Sequence, residues 1–223
     1  NKKGIPVISE IEFASRYTAA RLIAITGSNG KTTTALLTYH LLRSAGFSVG
    51  LAGNIGESFA RQVLEKDFDF YVLELSSFQL DNMYDFRAGI AVLLNITPDH
   101  LDRYKYSFDL YAQSKFRIVQ NQTPHDTFIF NADDATLTGE IEKRRLPAAM
   151  LPVSLKTGQA PGGFLSEGKL NFRIPGRIEN YEIALSDLPV KGPHNYLNVM
   201  CAVLAALQAG ASTESITGAL GTF

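Results

Sequence analysis

One run constrains this chain more than any other: Thr26-Gly27-Ser28-Asn29-Gly30-Lys31-Thr32-Thr33. Before it stands a short apolar stretch, Arg21 to Thr26, that reads as a buried strand. After it, Thr32 to Ala45 reads as a helix whose broad apolar face holds Leu36, Leu37, Leu41 and Leu42, with Gly46 set to end it. A glycine turn between strand and helix is the context a phosphate-binding loop requires. Glycines let the backbone curl until successive N–H groups point inward, and the helix N-terminus adds partial positive charge. Such a loop would draw on Gly27, Ser28, Asn29, Gly30 and Thr33, with Lys31 on the β and γ phosphates and the Thr32 hydroxyl on Mg²⁺. The usual spacing would demand a glycine at position 25, where Ile25 stands, so the loop is shortened. The alternative is a plain glycine turn that caps a helix.

The rest of the pattern alternates in the same way. Strands are expected at Ser48 to Ala52, Phe70 to Leu73, Ile90 to Leu94, Thr127 to Phe130 and Met150 to Leu155. Helices are expected at Glu57 to Glu65, from Ser107 to about Asn121, at Pro193 to Ala209 and at Ser212 to Leu220. Strands separated by helices imply βαβ units. The expected class is α/β: a mostly parallel sheet flanked by helices, a P-loop type mononucleotide-binding fold. Phe164 to Leu188 reads as a small antiparallel β addition after a loop at 157–163. Residues 1–20 suggest a strand at Ile5 to Ile8 and a helix at Glu10 to Tyr17, the end of a preceding unit plus a connector.

Composition narrows the function classes. The 223 residues carry 21 basic and 22 acidic side chains, a net charge of -1, which argues against a polybasic nucleic-acid binder. One cysteine, Cys201, excludes an internal disulfide and a multi-cysteine zinc site, and its apolar neighbours predict burial. No apolar stretch is long enough to span a bilayer, and no basic-then-apolar leader opens the chain, so a cytoplasmic protein with no membrane partner is expected. The chain opens on Asn1 rather than Met, as a piece of something longer would.

Further candidates stand just past predicted strands, at Asn54, Glu74 and the run Asn95-Ile96-Thr97-Pro98-Asp99-His100-Leu101-Asp102-Arg103. In an open parallel sheet those carboxyl ends line one crevice, where ligands bind. Glu74 at a strand end beside a phosphate loop suits Mg²⁺, against a solvated carboxylate as the bland reading. His100 suits a second metal, or a turn driven by Pro98. Lys115 lies on an amphipathic helix, where composition favours a solvated lysine. Asn195 and Asn198 could read a polar ligand through their amides, although capping is the commoner role.

These residues together resemble the Mur ligases, ATP-dependent amide-forming enzymes of peptidoglycan synthesis related to folylpolyglutamate synthase. The resemblance rests on the shortened loop Thr26 to Thr32, on Glu74-Leu75-Ser76-Ser77-Phe78-Gln79-Leu80, on Asn95 to Tyr104 and on Gly192-Pro193-His194-Asn195-Tyr196-Leu197-Asn198. It runs over nearly the whole chain, and the Ser76 to Leu80 run is similar to the branch that adds D-glutamate to UDP-N-acetylmuramoyl-L-alanine. The resemblance implies ATP and Mg²⁺ as cofactors and an acyl-phosphate mechanism. Lys31 would hold the phosphates, Thr32 and Glu74 one Mg²⁺, and His100 a second. Lys115 would match a lysine that is carbamylated into a carboxylate-like metal ligand, which reverses the reading from composition. Asn54, Ser76 and Gln79 would contact the muramoyl substrate, and Asn195 and Asn198 the nucleotide.

The resemblance also implies a division of the chain. Residues 1–16 would be the tail of a UDP-binding domain and connector, and 17–223 the ATP-binding central domain. A C-terminal amino-acid-binding domain would be absent. A monomer that cannot ligate by itself is the expectation. The rivals are another Mur-type or folylpolyglutamate-type ligase, and a P-loop kinase or nucleotide switch.

Overall fold

The computed structural model describes residues 5–99, 101–156, 158 and 161–223, without the side chain of residue 179. The first half runs α1 (Glu10–Ser15), β1 (Arg21–Thr26), α2 (Lys31–Ser44), β2 (Val49–Gly53), α3 (Phe59–Glu65), β3 (Phe70–Glu74), α4 (Ser77–Asp81) and β4 (Ile90–Leu93). The second half runs α5 (Phe108–Phe116), β5 (Thr127–Asn131), α6 (Ala135–Glu142), β6 (Ala149–Ser154), β7 (Gly162–Ser166), β8 (Lys169–Ile174), β9 (Ile178–Ala184), α7 (Pro193–Ala209) and α8 (Thr213–Leu220).

The nine strands form one sheet in the order β2-β3-β1-β4-β5-β6-β7-β8-β9. Every pair from β2 to β7 is parallel, while β7–β8 and β8–β9 are antiparallel. Alternation along each central strand loads both faces, as a parallel sheet buried on two sides requires. Ile23, Ile25, Val72 and Val92 point into a core shared with Leu37 and Leu41 of α2 and with Val199 to Leu207 of α7. Leu22, Ala24, Tyr71, Leu73 and Ala91 point the other way, toward Phe59, Leu80 and Phe116. Chain order reverses beside β1, which pairs with β3 on one side and β4 on the other. A crevice opens at such a switch point, at the carboxyl ends of the strands.

Several expectations needed correction. No strand forms at residues 5–8: Ile5 and Val7 are exposed, and Pro6 has no N–H to give a ladder. The connector helix is real but short, capped by the Ser9 hydroxyl, and its Ile11 and Ala14 join the second core. The helix expected from Glu57 begins at Phe59, because the Ser58 hydroxyl accepts the Arg61 N–H. The helix expected to reach Asn121 stops at Phe116 and tightens into a 3-10 turn over Arg117–Val119. Helix α6 went unread, although Asp134 caps it by accepting the Leu137 N–H. The antiparallel addition is an extension of the main sheet, since β7 joins β6 in parallel. Part of the 157–163 loop, at residues 157, 159 and 160, lies outside the described residues. Cys201 is buried as expected, and burial raises its thiol pKa. Among the described residues no helix is long and apolar enough to cross a membrane.

Candidate functional site

The parallel ladder between β1 and β4 continues past the sheet. Leu94 N–H donates to the Thr26 carbonyl, and Ser28 N–H donates to the Asn95 carbonyl, each at 3.0 Å. The glycine loop therefore leaves β1 alongside the segment that leaves β4. Gly30 is the N-cap of α2 at φ +85°, and a Cβ there would collide with the Asn198 side-chain oxygen. Only glycine meets both demands. No side chain caps α2, so its first N–H groups stay open to a ligand.

Two ammonium groups converge on this loop. Lys31 Nζ donates to the carbonyls of Gly27 at 2.9 Å and Ser28 at 2.8 Å. Lys115 Nζ donates to the same Gly27 carbonyl at 2.9 Å and lies 4.8 Å from the centre of the Tyr111 ring. Lys115 is only 2% exposed, which overturns the solvated reading from composition. Burial first, and then the Lys31 charge, lower its pKa to about 7 against the opposing pull of the Asp99 carboxylate. A lysine held near neutrality inside a crevice is a functional-site signal.

Glu74 ends β3 and is 1% exposed. Its two oxygens accept from Thr32 Oγ1 at 2.9 Å and from Asn54 Nδ2 at 3.2 Å. Gly53 makes this approach possible: at φ +100° its backbone runs so close to the Glu74 carbonyl that no side chain would fit. Thr32, Asn54 and Glu74, from three separate segments, thus form one cluster. Its hydroxyl and carboxylate oxygens are the hard donors that suit Mg²⁺. Among the described residues no group of three or more histidine, cysteine or acidic side chains is arranged to hold a metal. His100 lies outside the described residues.

Ser76 and Gln79 meet each other. The Ser76 hydroxyl accepts the Gln79 N–H, and the Gln79 side chain accepts the Ser76 N–H, a reciprocal capping box at the start of α4. Asn195 and Asn198 stand on the first turns of α7 and, with Gly30 and Thr33, line a cleft of about 710 Å³. Asn195 Nδ2 donates to the Lys191 carbonyl at 2.9 Å. Asp133 and Lys156 also line the cleft.

The sequence reading gave no role of their own to two residues here: Asn95, named only within the run past β4, and Tyr111. Asn95 bonds twice through its side chain to the backbone of Asn29. Tyr111 shares a 3.0 Å hydrogen bond with the Ser28 hydroxyl, which also donates to the Thr97 carbonyl. Both left a signal: Asn95 stands just past a strand end, and Tyr111 precedes Lys115 by four, on one helix face.

Fold and crevice together define an α/β domain of the P-loop type. The family description "Mur ligase middle domain" matches residues 25–206, and the chain belongs to that family. It is similar to the UDP-N-acetylmuramoylalanine--D-glutamate ligase of Bacteroides fragilis, at 48% identity over 100% of this chain and 49% of that protein. The protein of that name from Bacteroides thetaiotaomicron is 51% identical over 99% of this chain and 49% of its own length. The chain spans about half the length of the curated relatives it matches. A solved UDP-N-acetylmuramoyl-L-alanyl-D-glutamate--2,6-diaminopimelate ligase shares the fold at TM-score 0.75 and 23% identity, covering 96% of this chain and 50% of that one.

Proposed function

We propose that this chain is the ATP-binding middle part of a ligase that joins D-glutamate to UDP-N-acetylmuramoyl-L-alanine in peptidoglycan synthesis. Residues 17–223 would form the nucleotide domain, and residues 1–16 the end of a UDP-binding domain and its connector. The whole enzyme would act as a cytoplasmic monomer, with an amino-acid-binding domain beyond this chain. The observation that carries the reading is the meeting of Lys31, Lys115, Thr32 and Glu74 around one shortened glycine loop. The identity to relatives bearing that enzyme name supports the choice of substrates.

In this reading Lys31 leaves the carbonyls of Gly27 and Ser28 and turns to the triphosphate. Thr32 and Glu74 would hold Mg²⁺, which would neutralise charge on the transferring phosphoryl group. Lys31, and the open N–H groups at the start of α2, would orient the γ-phosphate toward the substrate carboxylate. The carboxylate oxygen bonds to phosphorus as the bond to ADP breaks. The D-glutamate amine then attacks the acyl carbon, loses a proton and expels phosphate. Asn54, Ser76 and Gln79 would face the muramoyl substrate, and Asn195 and Asn198 the nucleotide. The resemblance assigns His100 to a second Mg²⁺ and a carbamate to Lys115. A neutral amine is the form that reacts with CO₂, and a pKa near 7 supports that assignment.

The test is Lys31→Ala. Among the described residues the side chain bonds to two loop carbonyls, so the fold should survive, while ATP affinity should fall by roughly a hundredfold. Calorimetric titration reads this directly, and unchanged affinity in a folded variant removes the phosphate-loop reading.

A further inference from the structure

The loop is shorter than a phosphate loop usually is, and something must hold its shape. The usual spacing puts four residues between its two glycines, and here only Ser28 and Asn29 separate Gly27 from Gly30. Here Asn95 meets the loop at three points. Its carbonyl accepts the Ser28 N–H at 3.0 Å, its Oδ1 accepts the Asn29 N–H at 2.8 Å, and its Nδ2 donates to the Asn29 carbonyl at 3.0 Å. Both polar atoms of the side chain are spent on one residue's backbone. A single bond would leave Asn29 free to swing, whereas two bonds fix the peptide planes on either side of it. Asn29 is exposed, so no packing does this work instead.

We propose that Asn95 is the positioning residue of the phosphate loop: its amide clamps the shortened loop at Asn29 and keeps the open N–H groups of α2 directed at a β-phosphate. The inference rests on the nucleotide reading above and deepens it. The chemistry is specific to asparagine. Aspartate lacks the donor, serine offers one short arm, and glutamine adds a methylene between a fixed strand end and a fixed loop. The register that brings Asn95 to Asn29 comes from the sheet, since Thr26 pairs with Leu93 and the ladder continues two residues further. The Asn29 N–H is taken by Asn95 and is not a phosphate donor in this loop.

The experiment titrates AMP, ADP and ATP into the full-length protein and its Asn95→Ala variant, with thermal melting as a check on folding. A loosened cradle acts on the β-phosphate, so ADP and ATP should each bind roughly tenfold or more weakly while AMP is unchanged. A merely structural role would weaken all three alike, and that result overturns the proposal, as does an Asn95→Ala variant that keeps wild-type ADP and ATP affinity. Failure of the wild-type protein to bind any of the three removes the nucleotide reading itself, and the clamp with it.

Discussion

The joint formed by α1 and the crevice around the glycine loop both bury charge, and they treat it differently. At the joint, Glu12 is fully buried and saturated with partners. It accepts from Arg16 at 2.7 Å and from the N–H groups of Tyr84, Asp85 and Phe86 at 2.9 to 3.2 Å. Burial pushes its carboxyl pKa up, but Arg16 and the three amides outweigh that and hold it below its ordinary 4.5. In the crevice, Lys115 is almost as buried, yet it bonds to one carbonyl, which it shares with Lys31, and otherwise has one aromatic face and the field of the Asp99 carboxylate. Glu74 there accepts, among the described residues, from two neutral side chains. A buried charge that holds structure is saturated with bonds. A buried charge left short of partners at a sheet's carboxyl edge is available for chemistry.

The comparison breaks most readily at Glu12. Glu12→Ala strips a half-exposed ion pair and orphans three N–H groups, so about 3 kcal/mol of stability should be lost in urea unfolding. A loss below about 1 kcal/mol would mean that the joint is ornamental. The sign with pH follows from the lowered pKa. Glu12 contributes its stability above about pH 4.5, and the contribution disappears as pH falls through the folded value. Glu12→Gln should therefore flatten the acid limb of the stability profile.

Lys115→Met should do the opposite to stability. Removing an underpaired buried cation should raise it by about 1–2 kcal/mol at neutral pH in CO₂-depleted buffer, while ligation by the full-length protein fails. Between about pH 7 and 10.5 the unfolded chain binds a proton that the folded chain does not. Wild-type stability therefore climbs with pH across that window through this group, and the variant lacks that climb. A destabilised Lys115→Met protein would place Lys115 in the same class as Glu12.

The smallest stability effect is expected at Glu74. Glu74→Gln keeps the shape and neutral partners, so unfolding should shift by less than about 1 kcal/mol. ATP affinity measured with Mg²⁺ should nonetheless fall more than affinity measured without it. Equal losses under both conditions would assign Glu74 to structure and erase the distinction between crevice and joint.

Much of this molecule was legible in the residues themselves, because the signals were local. Short continuous apolar runs marked β1, β3, β4 and β5 nearly to the residue. Ser107 and Ser212 announced the helices they cap. The glycine loop was readable from its flanks, and Glu74 from its place at a strand end. What escaped depended on partners distant in the chain. Composition favoured solvent for Lys115, yet it donates to a carbonyl 88 positions away. The Asn95 clamp exists only once β1 and β4 are in register across 66 positions. The reciprocal bonding of Ser76 and Gln79, three apart, is the exception, a local capping-box spacing that the sequence reading left unused. Local energetics decide which element a segment forms, since turns, caps and periodicity act within a few residues. Whether a charge in that element is solvated, saturated or left wanting is decided by the desolvation and hydrogen bonds that remote segments impose, and only the packed sheet brings those segments together.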